Sequence, residues 1–368
     1  MGLLRFFLAF AVVNVHGHLL SHNLIYPDIA VQSFYIISGF YMAMILNEKY
    51  NRPEISYKDF ILSRFFRIAP AYFFMLISTI LVGLIAWLSF SMMLSPLQYW
   101  FEYYDILSVN SIIYIIAPQV TLIGLDVSMF SFVDSFGEYK FTYQYYIEQI
   151  KLWRFLAVPQ GWTLSLEFYF YLLAPFIVRK TIRFILLIIV ASFLIRLVIA
   201  VYFKLHLDPW SYRFFPSEIM FFLCGSIAYR LFVINNIQEE ISYNKTKYFC
   251  FLLIIAAGVI GRYSHTVGNL YLFSPTVMGI LFLILPKLFA ATKNNKFDRY
   301  IGELSYPLYI SHMLVIWVSE LIFNNGGLWQ RISIVLGSIL LSILIYEFID
   351  KRVDKFRHRR YSKEVKIE

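Results

Sequence analysis

The sequence predicts an all-α fold, a polytopic membrane bundle of about ten transmembrane helices, and three observations lead there. Of the 368 residues, 60% are hydrophobic and only 15% charged, against roughly 25% charge in soluble domains. The apolar residues fall into blocks of about 17 to 23, long enough to cross a hydrocarbon core roughly 30 Å thick. The Lys and Arg residues behind the net charge of +9 gather in the short segments between those blocks. That placement is a topology signal and not the mark of a nucleic-acid partner.

In chain order the expected spans are 3–20, 29–47, 68–91, 162–178, 182–203, 215–234, 248–262, 268–289, 303–322 and 330–349. In the first, Arg5 precedes an apolar stretch as in a signal peptide. No small-x-small cleavage site follows, and Asn14, His16 and His18 interrupt the stretch, so it reads as an uncleaved span. Lys49 to Arg67, Arg179 to Arg183, Lys245 with Lys247, and Lys293 to Arg299 then fall on one side. With the tail from Lys351 to Lys366 they belong in the cytoplasm, which puts both termini there, in a cell inner membrane.

The apolar stretch Ile106–Val127 resists this alternation. Counting it as a span would move Arg179–Arg183 and the basic tail outside, so 92–161 is assigned to one extracytoplasmic region with 106–127 re-entrant or interfacial. The region is rich in aromatics, from Tyr99, Trp100, Phe101, Tyr103 and Tyr104 to Phe141, Tyr143, Tyr145 and Tyr146. They read either as an interfacial belt or as a stacking surface for a sugar or isoprenoid. No repeat, Gly/Ser linker or low-complexity tract divides the chain. The expected organisation is one membrane domain over 1–350 and a basic tail over 351–368. Cys224 and Cys250 lie in apolar blocks without CxxC or Cys/His spacing, and no metal site is expected.

Ionisable residues inside spans are costly, and each is a functional candidate. Arg5 and His16 stand eleven apart on the first span, within about 20° of one face and about 16 Å along the axis. Arg5 sits at the cytoplasmic entrance and His16 in the outer half; the bland alternatives are an anchor and a packing hydrogen bonder. Arg64 and Arg67, three apart at the start of the third span, present two forked donors suited to phosphate, or anchor the helix to lipid head groups. Glu167 falls one turn into the fourth span at a depth comparable to His16. A carboxylate there can orient an imidazole and stabilise its protonated form, as a general base requires; the competitor is structural pairing between helices. Tyr309 and His312 lie on nearly one face of the ninth span. Arg213 and Glu218 open the sixth span, lining an acceptor mouth or satisfying each other.

Taken together, these residues resemble the acyltransferase-3 family of membrane proteins. The resemblance rests on a basic residue separated by ten residues from a His in the first span (Arg5, His16), on Ser38-Gly39-Phe40, and on Arg-x-x-Arg at Arg64 and Arg67. It continues with the Trp-Ser-Leu-x-x-Glu-x-x-Phe-Tyr signature over Trp162–Tyr171 and with Ser-Tyr-x-x-Tyr-x-x-His over Ser305–His312. Three positions depart from the common pattern: Gln32 where relatives carry an acidic residue, Thr163 where Ser is usual, and Gln160 where a His often precedes the Trp. The chain resembles the stand-alone form, without an added hydrolase-like domain.

The resemblance implies transfer of an acyl group, acetyl from acetyl-CoA foremost, to a hydroxyl of a cell-surface carbohydrate or lipid-linked glycan. Arg5, Arg64 and Arg67 would receive the CoA phosphates. His16, with Glu167, would deprotonate the acceptor. His312 is left with three roles: a second acid/base, an oxyanion donor or a structural group. Trp162, Arg213, Glu218 and Tyr309 fall on the substrate side. The expected partners are membrane lipid and a glycan acceptor, with no nucleic acid and no metal. The rival class is a transporter or flippase, whose usual matching half-chain repeats are not seen; a catalytically silent sensor is the third reading.

Overall fold

The helices form where apolar blocks are bounded by caps and prolines, and their lengths revise the sequence reading. A computed structural model of the chain describes residues 1–21, 23–50, 56–235, 270–323 and 326–363. The expected span 248–262, with Lys245, Lys247 and Cys250, lies outside the described residues. Two compact units divide the chain: Met1–Ile61, Tyr169–His206 and Phe214–Tyr309 form the first, and Leu62–Phe168, Leu207–Arg213 and Ile310–Glu368 the second.

The first unit holds α1 (Gly2–His16), α2 (Pro27–Glu48), the start of α3 (Tyr57–Phe90), most of α6 (Trp162–Ile177), α7 (Ile182–Leu197), α8 (Phe215–Ile234), α9 (Leu270–Thr292) and the first half of α10 (Lys296–Ile322). Its centre is the crossing of α2 and α8, whose most apolar stretches are 72% buried, whereas α7 with its π-helical end at Val198–Tyr202 is 11% buried. Small residues bring the central pair together, as in membrane helix interfaces generally. A Cβ on Gly39 would lie 1.8 Å from the Phe222 carbonyl oxygen, and one on Gly225 would lie 1.8 Å from that of Ile36. Ser226 donates its hydroxyl to the Gly39 carbonyl at 3.2 Å, and the Phe222 ring stacks on Tyr35 and Phe170.

The first helix is shorter than expected: α1 stops at His16 and not near residue 20. Gly17 N–H closes the last turn on the Val13 carbonyl, His18 takes a left-handed φ of 47°, and the buried Asn14 carboxamide oxygen accepts from Leu20 N–H at 3.0 Å. The polar interruptions seen in the sequence are the terminator. At the other end Asp298 accepts from the N–H groups of Gly2 and Leu3, satisfying donors that a helix start leaves open.

The second unit holds the rest of α3, α4 (Ser95–Tyr103), α5 (Val109–Thr121), strands β1 (Ser131–Val133), β2 (Tyr139–Phe141) and β3 (Ile150–Lys151), the opening of α6, the second half of α10, α11 (Leu328–Ile345) and α12 (Lys351–Lys363). Here α3 begins at Tyr57, eleven residues before the expected span, so the basic stretch through Arg67 is helical. Asp59 N–H bonds to Ser56 Oγ, and that hydroxyl donates to the Asp59 carboxylate, a local cap of the Ser-x-x-acid kind. With 34 residues α3 is about 50 Å long, well beyond the roughly 30 Å of a hydrocarbon core. By contrast α5 has 13 residues, about 20 Å, and contains Pro118.

Against the all-α expectation, 131–151 carries a small antiparallel sheet in the order β2-β1-β3, with Phe132 opposite Lys140 on one side and Lys151 on the other. The β1–β2 turn is held by Asp134, whose Oδ1 accepts from Phe136 and Glu138 N–H, and by Gly137, which has φ +78° and no room for a Cβ against the Ile106 carbonyl. Tyr99, Ile115, Val133, Ile150, Leu152 and Phe155 form a hydrophobic core beneath it, with Trp100 and Tyr103 packed alongside. Trp100 Nε1–H donates to the Phe155 carbonyl at 3.0 Å and Tyr99 hydroxyl to that of Gln149 at 3.1 Å. Part of the aromatic cluster thus builds a core, while Phe101, Tyr104, Phe141, Tyr143 and Tyr146 stay exposed.

Among the described residues five helical stretches are long and apolar enough to cross a membrane: Pro27–Glu48, Tyr57–Phe90, Ile182–Tyr202, Phe215–Ile234 and Leu328–Arg357. Shorter apolar helices run over Gly2–His16, Val109–Thr121 and Val277–Thr292. The protein is therefore a multi-pass membrane protein, nearly all-α, with five such spans described where the sequence predicts ten.

Candidate active site

In the first unit, Arg5 is half-buried on α1 with its guanidinium 5.9 Å from the centre of the Tyr41 ring, a cation–π distance. His16 is the last residue of the same helix and is exposed. The unbroken helix between them preserves their common face. Tyr309 is buried near the Phe34 ring. Glu218 is fully buried and takes Arg196 Nη1–H at 2.6 Å, Gln32 Nε2–H at 3.1 Å and Ser217 Oγ–H at 3.4 Å. A buried carboxylate needs such pairing. Gln32, the departure from the family pattern, serves here as a donor to the carboxylate. Arg196 was missed as a candidate, although an arginine inside the apolar stretch 182–203 is itself a sequence signal.

In the second unit, Trp162 opens α6 and carries the Arg213 guanidinium 4.4 Å from its ring centre. Arg213 has its partner within this unit. It forms a bidentate pair with Asp208, which also accepts from the Tyr145 hydroxyl at 3.0 Å. Burial, reinforced by the Asp208 charge, raises the Tyr145 phenol above its ordinary range. Trp210 donates its indole N–H to the Tyr143 carbonyl at 2.9 Å and stacks on the Tyr143 ring. The short segment Leu207–Arg213 thereby fastens the strand region to the start of α6.

Glu167 is half-buried one and a half turns into α6, and His312 is fully buried on α10. Gln160 ties their two motifs together. Its side-chain amide donates to the Ile310 carbonyl at 2.6 Å, two residues before His312 and two before Trp162. Ser165 holds the other side of α6, donating to the Leu122 carbonyl and accepting from Leu125 N–H.

Arg64 and Arg67 occupy one side of α3, one turn apart. Arg64 is 6% exposed, its Nη2 reaches Ser63 Oγ only at 3.4 Å, and among the described residues its buried Nε finds no acceptor. Arg67 is less buried, with Nη1 3.5 Å from Asp354 Oδ2 on α12. No cluster of His, Cys, Asp and Glu able to hold a metal ion occurs among the described residues.

The fold is that of a nearly all-α, multi-pass membrane protein with ionisable side chains such as Arg64, Glu218 and His312 buried in its helices. The family described as an acyltransferase domain, acyltransferase-3, matches residues 1–347, and the chain belongs to it. An uncharacterized protein of Aquifex aeolicus (strain VF5) is 28% identical over 211 residues, 55% of this chain and 90% of that protein. No solved structure matches the chain.

Proposed function

We propose that this acyltransferase takes an acyl group, acetyl foremost, from acyl-CoA to a hydroxyl of a cell-surface polysaccharide or a lipid-linked glycan. The observation that carries the reading is the buried guanidinium of Arg64, charged and short of acceptors beside Arg67 in a chain that belongs to the family. A buried cation of that kind favours an anionic ligand, and two forked donors one turn apart suit a phosphate.

In the transfer, the acceptor hydroxyl gives up its proton to a base and its oxygen bonds to the acyl carbon. The thioester C–S bond breaks, and the CoA sulfur leaves with the electron pair and takes a proton. Arg5, Arg64 and Arg67 bind the donor phosphates. His16 is the base; Glu167 and His312 are assigned to the same step by the motifs that carry them and not by a distance. Trp162, Arg213, Glu218 and Tyr309 shape the acceptor side, with the exposed aromatics of 92–161 outside the cell membrane. Both termini are cytoplasmic, in an inner membrane.

The test uses purified full-length protein in detergent with acetyl-labelled acetyl-CoA and a crude cell-envelope acceptor. Label appearing in a base-labile ester on the glycan fraction is the expected result. Envelope glycan that moves across a vesicle membrane without gaining an ester would replace the enzyme by a transporter.

A further inference from the structure

On α2, the residue that follows Ser38-Gly39-Phe40 is Tyr41, which belongs to none of the motifs. Two neighbouring rings fix its own: Phe40 and Phe289 of α9 each meet it edge-on, with ring centres 6.2 Å away. The Arg5 guanidinium lies 5.9 Å from the centre of the Tyr41 ring, within cation–π range. On another side of Arg5, α10 passes with a glycine. A Cβ on Gly302 would lie 2.6 Å from Gly2 Cα and 3.7 Å from Arg5 Nη1. The guanidinium is therefore close both to the Tyr41 ring and to the backbone of α10, within the first unit.

Two hydrogen-bond donors stand uncommitted there. Among the described residues Arg5 forms no ion pair, and the hydroxyl of the half-buried Tyr41 side chain has no hydrogen-bond partner. The charged groups in electrostatic reach of that hydroxyl are Arg5, Glu303, Asp298 and Arg299. Asp298 is engaged by the N–H groups of Gly2 and Leu3, at 2.7 and 3.0 Å. A polar group drawn out of water without a partner is unfavourable, and a phenol carries its proton at neutral pH and can donate it. A guanidinium beside a phenol matches the oxygens of a phosphate, which accept from charged and neutral donors alike.

We propose that Tyr41 is a further donor-binding residue, whose hydroxyl hydrogen-bonds a phosphate oxygen of the acyl-CoA that Arg5 holds. This rests on the reading of Arg5 as part of the donor site. The ring fixes the direction of the hydroxyl, because Phe40 and Phe289 limit its rotation.

The test measures binding of CoA, and of pantetheine, which lacks the phosphates, to the full-length protein in detergent, beside thermal unfolding. Tyr41→Phe keeps the ring and removes the hydroxyl. It should weaken CoA about tenfold, the scale of one hydrogen bond to a charged group. Pantetheine binding should stay as in the parent, and unfolding should come no earlier, since no described partner is lost. Tyr41→Leu, which removes the ring as well, should weaken CoA at least as much. Parental CoA affinity in Tyr41→Phe overturns the proposal. So does a loss shared equally by CoA and pantetheine, or an earlier unfolding, because either gives the hydroxyl a structural role. Arg5→Ala separates this proposal from the reading beneath it. If Arg5→Ala loses CoA while Tyr41→Phe does not, the donor site stands without Tyr41; if Arg5→Ala keeps parental CoA affinity, the donor role of Arg5 fails and that of Tyr41 falls with it.

Discussion

The side-chain amide of Gln160 donates to the backbone carbonyl of Ile310 at 2.6 Å, with both residues buried. One hydrogen bond thus links the loop that launches Trp162 and Glu167 to the helix that carries His312. Two signatures separated by about 150 residues in sequence are held in register inside one unit of the fold.

Replacing Gln160 by Leu keeps the volume and removes the donor, so it should cost about 1–3 kcal/mol of stability, the range for breaking a buried hydrogen bond. Turnover should fall with acyl-CoA affinity retained. Gln160→His restores a donor and should recover most of the rate. Equal turnover in the Leu variant, measured beside its thermal unfolding in detergent, would reduce the bond to packing.

The α2–α8 crossing makes a second prediction. A methyl group at Gly39 or Gly225 would overlap a backbone carbonyl of the facing helix, and backbone cannot yield as a side chain can. Gly39→Ala and Gly225→Ala should each destabilise by about 3 kcal/mol or more. Gly279→Ala is the control, since among the described residues nothing lies within 4 Å of its Cβ, and it should unfold no earlier than the parent does.

The side of the membrane taken by the 92–161 region is open to a direct assay. A reporter fused after Glu368 should report cytoplasm, and one inserted near Tyr143, which is 65% exposed, should report the extracytoplasmic side. A cytoplasmic signal at Tyr143 would mean that the segment around α5 crosses the membrane and that the assignment of every later loop is inverted.

Apolar length made the long helices legible, and motif spacing singled out the candidate side chains. The small sheet was not legible, because strands of two or three residues are too short to establish a period of two and are held by the turn at Asp134 and Gly137. The early start of α3 was written in Ser56 and Asp59, a cap signal eclipsed by the charges that follow. The partners of Glu218 and Arg213 were hidden for a different reason. Arg196 and Asp208 lie 22 and 5 residues away from them, and a sequence shows that a buried charge needs a partner without showing which one it takes.

His16, proposed as the catalytic base, gives the last prediction, and it follows from the helix that carries it. Arg5 and His16 share one face of α1, eleven residues and about 16 Å apart along the axis, and α1 is unbroken between them. A phosphate group bound near Arg5 is therefore out of reach of the imidazole, so His16 is suited to act on the acceptor and poorly suited to hold the donor. His16→Ala should abolish transfer while acyl-CoA binding and thermal unfolding stay close to those of the parent. His16→Gln, which keeps a hydrogen-bonding group but cannot cycle a proton near neutral pH, should be equally inactive. Glu167→Gln should slow turnover and leave measurable activity, because an amide can still accept a hydrogen bond where the carboxylate did. Near-normal turnover in His16→Ala, assayed with labelled acetyl-CoA, would move the base to another residue, and the fully buried His312 would be the first to replace.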